Sequence, residues 1–299
     1  MKCWEIKNNI ENDMKEKWYS KYATVYGKPY TSEYKKIAEE IKSKMLKLQN
    51  NNPVVSIVII AHNEGENLLS NLWSVSEMQC KYPVEIIGVD NDSTDNTVQV
   101  YKDCGLEPLL VTDHHTAGAS RQAALEISRG KYYVCMDGDT IYPPKYVETM
   151  VNVLVADDKA VAACARWDFL PREGVSRVGM KMYEFFRNLH LKALAYKRPE
   201  LAVRGMTLVV VSELAKRFGF RRDIKSGEDG SLVLNLKTLG RIIFIHNKKA
   251  IVMTGWRTML KDGTLNKALW NRLKRQLRNV RYYVTDSNHY EDDDYNLDK

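Results

Sequence analysis

The chain of 299 residues lacks any apolar run long enough to cross a bilayer. Its longest runs are short, as in Ile57-Val58-Ile59-Ile60-Ala61, whereas a spanning helix needs about 20 apolar residues. No transmembrane helix is therefore encoded. The beginning, Met1-Lys2-Cys3-Trp4-Glu5, has no apolar core of a secretory signal. The cysteines are only five, Cys3, Cys80, Cys104, Cys135 and Cys164. Their odd number and wide spacing exclude a disulfide framework and a zinc-site pattern, and fit a reducing cytosol. No internal repeat of fixed period is present. A glycine-rich Gly-x-Gly-x-x-Gly turn is missing after the first strand, so a dinucleotide-binding site of that type is excluded. A Walker-type phosphate loop is missing too, so any nucleotide must be held differently. Hydrophobic residues at 44% and charged residues at 28% exclude collagen-like, mucin-like and wholly disordered chains.

Basic residues are in excess. The net charge of +7 implies an acidic partner: a phosphate-rich substrate, an anionic membrane surface or nucleic acid. Seven basic residues and one acidic residue, Asp262, lie between Lys261 and Arg281. The tail then turns acidic at Glu291-Asp292-Asp293-Asp294.

Periodicity divides the chain into three parts. Residues 1–52 read as a helical N-terminal extension, with Tyr34, Ile37, Ile41, Met45 and Leu48 forming the apolar stripe of a helix over 32–48. Asn50-Asn51-Asn52-Pro53 breaks that helix. This extension packs on the main domain or on a partner. Residues 53–260 form the main domain. Strands are expected over 54–61, 84–89, 109–111 and 131–136, alternating with helices over 66–78, 94–104 and 119–128. Such alternation predicts an α/β fold with a mostly parallel central sheet flanked by helices. Further on, helices are expected over 145–155, 178–196 and 230–238, the last with Gly240 as its C-cap signal, and strands over 160–165, 208–211 and 241–246. Residues 261–299 hold a basic amphipathic helix over 265–283 and the acidic tail, a C-terminal helical extension. That helix has three readings: a solvated helix docked by its leucine stripe, a membrane-surface helix, or a nucleic-acid contact.

The residues with chemistry cluster after buried strands, where open α/β sheets bind ligands. Asp137-Gly138-Asp139 follows the strand ending at Met136. Two carboxylates flanking a glycine in a tight turn can aim at one hard cation, Mn2+ or Mg2+, that keeps positions open for phosphates. Asp90-Asn91-Asp92-Ser93-Thr94-Asp95 follows the second strand. One such residue suffices to cap the following helix, so the surplus points to ligand contacts. Ala61-His62-Asn63-Glu64 follows the first strand. His114-His115 reads as a surface pair rather than a metal site.

These clusters, in this order, resemble the family-2 glycosyltransferases of the GT-A fold. Gly118-Ala119-Ser120-Arg121-Gln122 resembles the family's Arg-bearing helix start, Arg204-Gly205-Met206-Thr207 its acceptor-side strand, and Ser226-Gly227-Glu228-Asp229-Gly230 its Glu-Asp element. The resemblance spans residues 54–260. It implies an inverting, metal-dependent transfer of a sugar from a nucleotide-sugar donor, UDP-linked, to an acceptor hydroxyl. It also implies that Asp137 and Asp139 hold the metal, with Gly138 between them at the donor. Ala61, His62, Glu64, Asp90, Asn91 and Asp92 would hold the nucleoside. Arg121 would lie near the diphosphate or support that pocket, and Arg257 would reach phosphate. Asp229 would be the general base, with Glu228 beside it. Asn91 departs from the family's usual Asp-Asp turn, yet its carbonyl can still accept from a uracil N–H. No His stands clearly at a third metal position, although His246 ends a strand. The acceptor would be a glycan, a lipid-linked group or a modified nucleic acid. The basic C-terminal helix would supply any membrane or DNA contact, with the chain cytoplasmic or peripheral at the inner membrane face. Two alternatives stay open: a sugar-phosphate nucleotidyltransferase, against which stands the missing Gly-rich Arg-Lys phosphate loop, and a catalytically inactive module binding nucleic acid or glycan.

Overall fold

Val55–Ala61, apolar on both faces, forms β1 and sits between two layers of helices. Ile57 and Ile59 enter one core and Val58 the other, as the two-residue period of a strand requires. The computed structural model describes residues 17–171 and 177–256. Within them, β1 pairs in parallel with β2 (Val84–Asp90) on one side and β4 (Tyr132–Asp137) on the other. β3 (Leu109–Leu110) extends the sheet beyond β2. β8 (Leu208–Val211) runs antiparallel between β4 and β6 (Ala160–Ala165), and β9 (Arg241–Ile245) closes the edge in parallel with β6. The order is thus β3-β2-β1-β4-β8-β6-β9. A small second sheet, β5 (Thr140–Ile141), β10 (Val252–Thr254) and β7 (Trp167–Phe169), lies beyond the carboxyl end of β4.

The helices are α1 (Ser20–Ala23), α2 (Lys35–Leu48), α3 (Leu68–Ser76), α4 (Thr97–Asp103), α5 (Ala117–Ile127), α6 (Tyr146–Val155), α7 (Arg177–Lys197), α8 (Pro199–Ala202), α9 (Ser212–Phe218) and α10 (Glu228–Leu236). Ile41 and Met45 of α2, with Tyr19, Tyr22 and Val25 before it, enter the same core as Ile57 and Ile59. The N-terminal segment therefore shares the sheet's core rather than standing apart.

Two boundaries differ from expectation for physical reasons. The helix expected over 94–104 starts only at Thr97, because Asp95 is spent on the loop: its Oδ1 accepts from Thr97 N and its Oδ2 from Gly65 N, both at 2.9 Å. The helix expected over 230–238 starts two residues earlier and ends at Leu236, with Lys237 as its C-cap. Gly240 is not left-handed and caps nothing. It is glycine because a Cβ there would lie 2.4 Å from the Lys159 carbonyl oxygen, where β9 meets β6. The expected helix over 265–283 and the whole 261–299 segment lie outside the described residues, as does Arg257.

Candidate active site

The carboxyl ends of β1, β2 and β4 open into a cleft of about 610 Å3, a size that takes a small ligand. Ala61, His62, Glu64, Asn91, Arg121, Asp137, Gly138, Asp139, Glu228 and Asp229 all line it. Residues more than a hundred positions apart are thus brought to one place.

The floor is built around Arg121, in the second turn of α5. Thr116 starts that helix, its Oγ1 accepting from Ala119 N at 3.1 Å. Arg121 is only 3% exposed. Its Nη2 donates to Asp137 Oδ1 at 2.8 Å, its Nη1 donates to Glu228 Oε1, and Nη1 lies 3.2 Å from Asp229 Oδ1. Burial opposes the charge on Arg121, but Asp229, Asp137 and Glu228 outweigh it and hold the guanidinium protonated well above its ordinary range. Arg121 thus holds three carboxylates together at the floor of the cleft.

Those carboxylates are themselves strained electrostatically. Burial pushes the Asp137 carboxyl up to about 6; Arg121 opposes this, and Asp139 and Asp229 add to it. Burial and neighbouring Asp229 push Glu228 up to about 7, against Arg121. Glu228 and Asp229 form the first turn of α10, where the helix dipole favours negative charge. Gly227 makes that turn possible: its φ of +91° suits glycine alone at low cost. Gly205 closes over the network, since a Cβ there would lie 2.0 Å from Arg121 Nη2 and 2.7 Å from Asp229 Oδ2.

The β1 and β2 ends form the other wall. His62 Nδ1 meets Asn91 O at 2.6 Å. Glu64 Oε2 accepts from Asn67 Nδ2 at 2.8 Å. Asn91 Oδ1 is buried with no hydrogen-bond partner. Buried polar atoms left unpaired in a cleft are where a ligand's hydrogen bonds would go.

Two predicted site residues do not reach the cleft. Asp90, at the end of β2, turns its Oδ2 to Ser93 N at 3.0 Å and shapes the loop instead. Asp92 is exposed, with φ +55°, and its Oδ2 sits 3.3 Å from His115 Nδ1. His246 lines a different cavity, with Glu148 and Asp157, and supplies no third ligand beside Asp137 and Asp139. In the 254–257 segment, Thr254 and Gly255 line the cleft, while Trp256 is buried, stacked on Phe169 at 4.6 Å and donating its Nε1 to Leu170 O at 2.6 Å.

The sequence reading missed several lining residues. Trp167 and Phe169 face the cleft from β7, with the Arg187 guanidinium 4.7 Å from the Trp167 ring centroid. Their signal was available: an aromatic alternation directly after the buried strand Ala160–Ala165. Tyr26 carried no such signal. From the N-terminal segment, its hydroxyl donates to the Asp139 carbonyl oxygen at 2.9 Å.

The family model described as glycosyl transferase family 2 matches residues 56–212. An uncharacterized glycosyltransferase of Rickettsia prowazekii is 24% identical over 197 residues, 65% of this chain and 62% of the relative. The match spans less than two thirds of the length of such curated relatives. Among solved structures, a mannosyltransferase from Pyrobaculum calidifontis in complex with GDP-Man and Mn2+ superposes with a TM-score of 0.54 at 17% identity, covering 83% of this chain and 80% of that one. Staphylococcus aureus TarS in complex with UDP-GlcNAc gives 0.51 at 17% identity, covering 67% and 58%.

Proposed function

Because the chain belongs to glycosyl transferase family 2 and has the GT-A fold, we propose that it transfers a glycosyl group from a uridine-diphosphate sugar to an acceptor hydroxyl, in one displacement that inverts the anomeric centre. The observation that carries this reading is the single cleft that joins the Asp137-Gly138-Asp139 turn to Asp229 through Arg121. Donor and acceptor chemistry then lie one guanidinium apart.

Ala61, His62, Glu64 and Asn91 would receive the nucleoside. The unpaired Asn91 Oδ1 is an acceptor for a base N–H. Asp137 and Asp139 fit a divalent cation: the cleft holds four carboxylates, Asp137, Asp139, Glu228 and Asp229, against the Arg121 guanidinium, and oxygen ligands suit Mn2+ or Mg2+. With only Asp137 and Asp139 as its ligands, such an ion keeps coordination positions for diphosphate and water. When bound, the ion would supply positive charge where the diphosphate leaves. Asp229 would take the proton of the acceptor hydroxyl as the sugar bond forms. Glu228 and Arg121 position it. Trp167 and Phe169 would form the acceptor wall, where aromatic faces suit sugar rings or other apolar surface.

The test is a thermal-shift titration of UDP, GDP and their sugars with Mn2+ or with EDTA, followed by transfer assays. A metal-dependent shift with uridine nucleotides supports the donor site. Asp139→Ala should weaken that shift. Asp229→Asn should keep it and lose transfer by about a hundredfold or more. If Asp229→Asn instead loses donor binding while its fold is intact, the base assignment is wrong. A chain that binds donor and transfers to no acceptor would be a binding module.

A further inference from the structure

Among the described residues, none covers one whole face of α7. Val178, Met182, Phe185, Leu189 and Tyr196 follow at steps of four, three, four and seven, so they form a single stripe. Val178 is 70%, Phe185 64% and Tyr196 88% exposed. Phe186 widens the stripe and is also exposed. At 1.5 Å per residue, the helix presents this face over about 30 Å. Isolated exposed apolar side chains need no explanation, but a contiguous patch of this kind marks an interaction surface.

The charges beside the stripe point to the occupant. Lys181, Lys192 and Lys197 are exposed along it, and no exposed α7 residue is acidic. Protein interfaces are depleted of lysine at their cores. Lysines flanking a band of Phe, Leu and Met, with long stems that reach outward, are instead the pattern of a helix lying in a lipid headgroup region. Among the described residues no helix is long and apolar enough to cross a membrane, so such contact lies along the surface.

The buried side of α7 ties this face to the cleft. Arg187 is 4% exposed, and its guanidinium packs on Trp167 and lies 3.1 Å from Asp168 Oδ1. Glu184 Oε1 accepts from Phe169 N at 3.1 Å. The helix that carries the apolar stripe therefore also braces the two aromatic residues of the acceptor wall.

We propose that the exposed face of α7 docks on an anionic lipid surface and holds the mouth of the cleft at that surface. The docking stands independently of the catalytic assignment. Resting on the glycosyl-transfer reading, it further makes the acceptor a hydroxyl carried on a lipid.

The experiment is co-sedimentation of the full chain with vesicles of phosphatidylcholine alone, or of phosphatidylcholine and phosphatidylglycerol in equal parts. No nucleotide sugar is present, so the result is separate from any failure of transfer. The wild type should bind the anionic vesicles and lose them with added salt. The double variant Phe185→Ser/Phe186→Ser should bind about tenfold more weakly or less. So should Lys181→Glu/Lys192→Glu. All four side chains are exposed, and unchanged melting temperatures will show that the fold is kept. Neutralising the C-terminal cations, as in Lys274→Gln/Arg275→Gln, should leave most of the binding. Three results overturn the proposal. The wild type fails to bind anionic vesicles. Binding survives the α7 variants and is lost with the C-terminal one. Or the chain self-associates without lipid, and Phe185→Ser/Phe186→Ser abolishes that, which makes a second copy the occupant.

Discussion

Replacing Arg121 by methionine probes the floor of the site most directly. Arg121 is the buried cation that Asp137, Glu228 and Asp229 share. Methionine fills much of its volume but leaves the carboxylates without their partner. Removing one member of a buried ion pair costs about 3–5 kcal/mol. For a domain of this size that lowers the melting temperature by about 10 °C. The loss should depend on pH, through Glu228. Its folded pKa is raised from 4.5 to about 7, so its contribution to stability is fullest below about 4.5 and is lost as pH rises through 7. Arg121 is the group that restrains this rise, so in the variant the folded pKa climbs further. The deficit against wild type should therefore be larger at pH 8.5 than at pH 5.5. Urea unfolding at the two pH values, in chelator-treated buffer, measures it. An equal deficit at both pH values would refute the electrostatic account and leave only lost packing. No deficit at all would show that the carboxylates do not need Arg121 in the folded state.

Three further expectations follow from named contacts. Gly205→Ala should fold with a loss of about 1–3 kcal/mol and lose most transfer activity, because its Cβ would sit 2.0 Å from Arg121 Nη2 and 2.7 Å from Asp229 Oδ2; paired urea unfolding and rate measurements check both. Tyr26→Phe deletes the hydrogen bond to the Asp139 carbonyl and keeps the ring, so stability should change by about 1 kcal/mol or less, while the metal and donor concentrations needed for half-maximal rate rise more than kcat falls; a metal titration with unchanged midpoint would count against this positioning role. Glu77 gathers Lys21 and Tyr22 at 2.6 and 2.8 Å, with Lys44 also on its Oε1. Burial would raise its pKa, but these partners lower it from 4.5 to about 2. That stability is present above pH 4.5 and lost as pH falls towards 2, so Glu77→Gln should cost about 1–2 kcal/mol at neutral pH, after allowing for the solvent around Lys21, and almost nothing near pH 2.

Much of the architecture was readable from the chain because local and global signals agree. The run Val55–Ala61 is apolar on both faces and reads as a central strand from sequence alone, and the strands Ala160–Ala165 and Leu208–Val211 have the expected ends. The family resemblance likewise rested on motifs placed at strand ends. Less legible was the reach of side chains that serve their own loop. Asp90 and Asp92 carry the same acidic signal as Asp137, but Asp90 gives its Oδ2 to Ser93 N and Asp92 turns outward through a positive φ. No periodicity reports such a choice. Gly240 looked like a cap and is instead a close contact between strands.

The sequence by itself determined the seven strands of the central sheet and the longer helices, and that its acidic turns follow strands, because the 2.0 and 3.6 residue periods and the turn residues are local properties. Only the tertiary structure decided that Arg121 is shared by three carboxylates, that Tyr26 reaches the Asp139 turn, and that, among the described residues, one face of α7 is left bare while its other face braces Trp167 and Phe169. Those relations depend on which buried charges find partners across the sheet. They are set by packing between elements up to 113 residues apart, over which the order of amino acids carries no local signal.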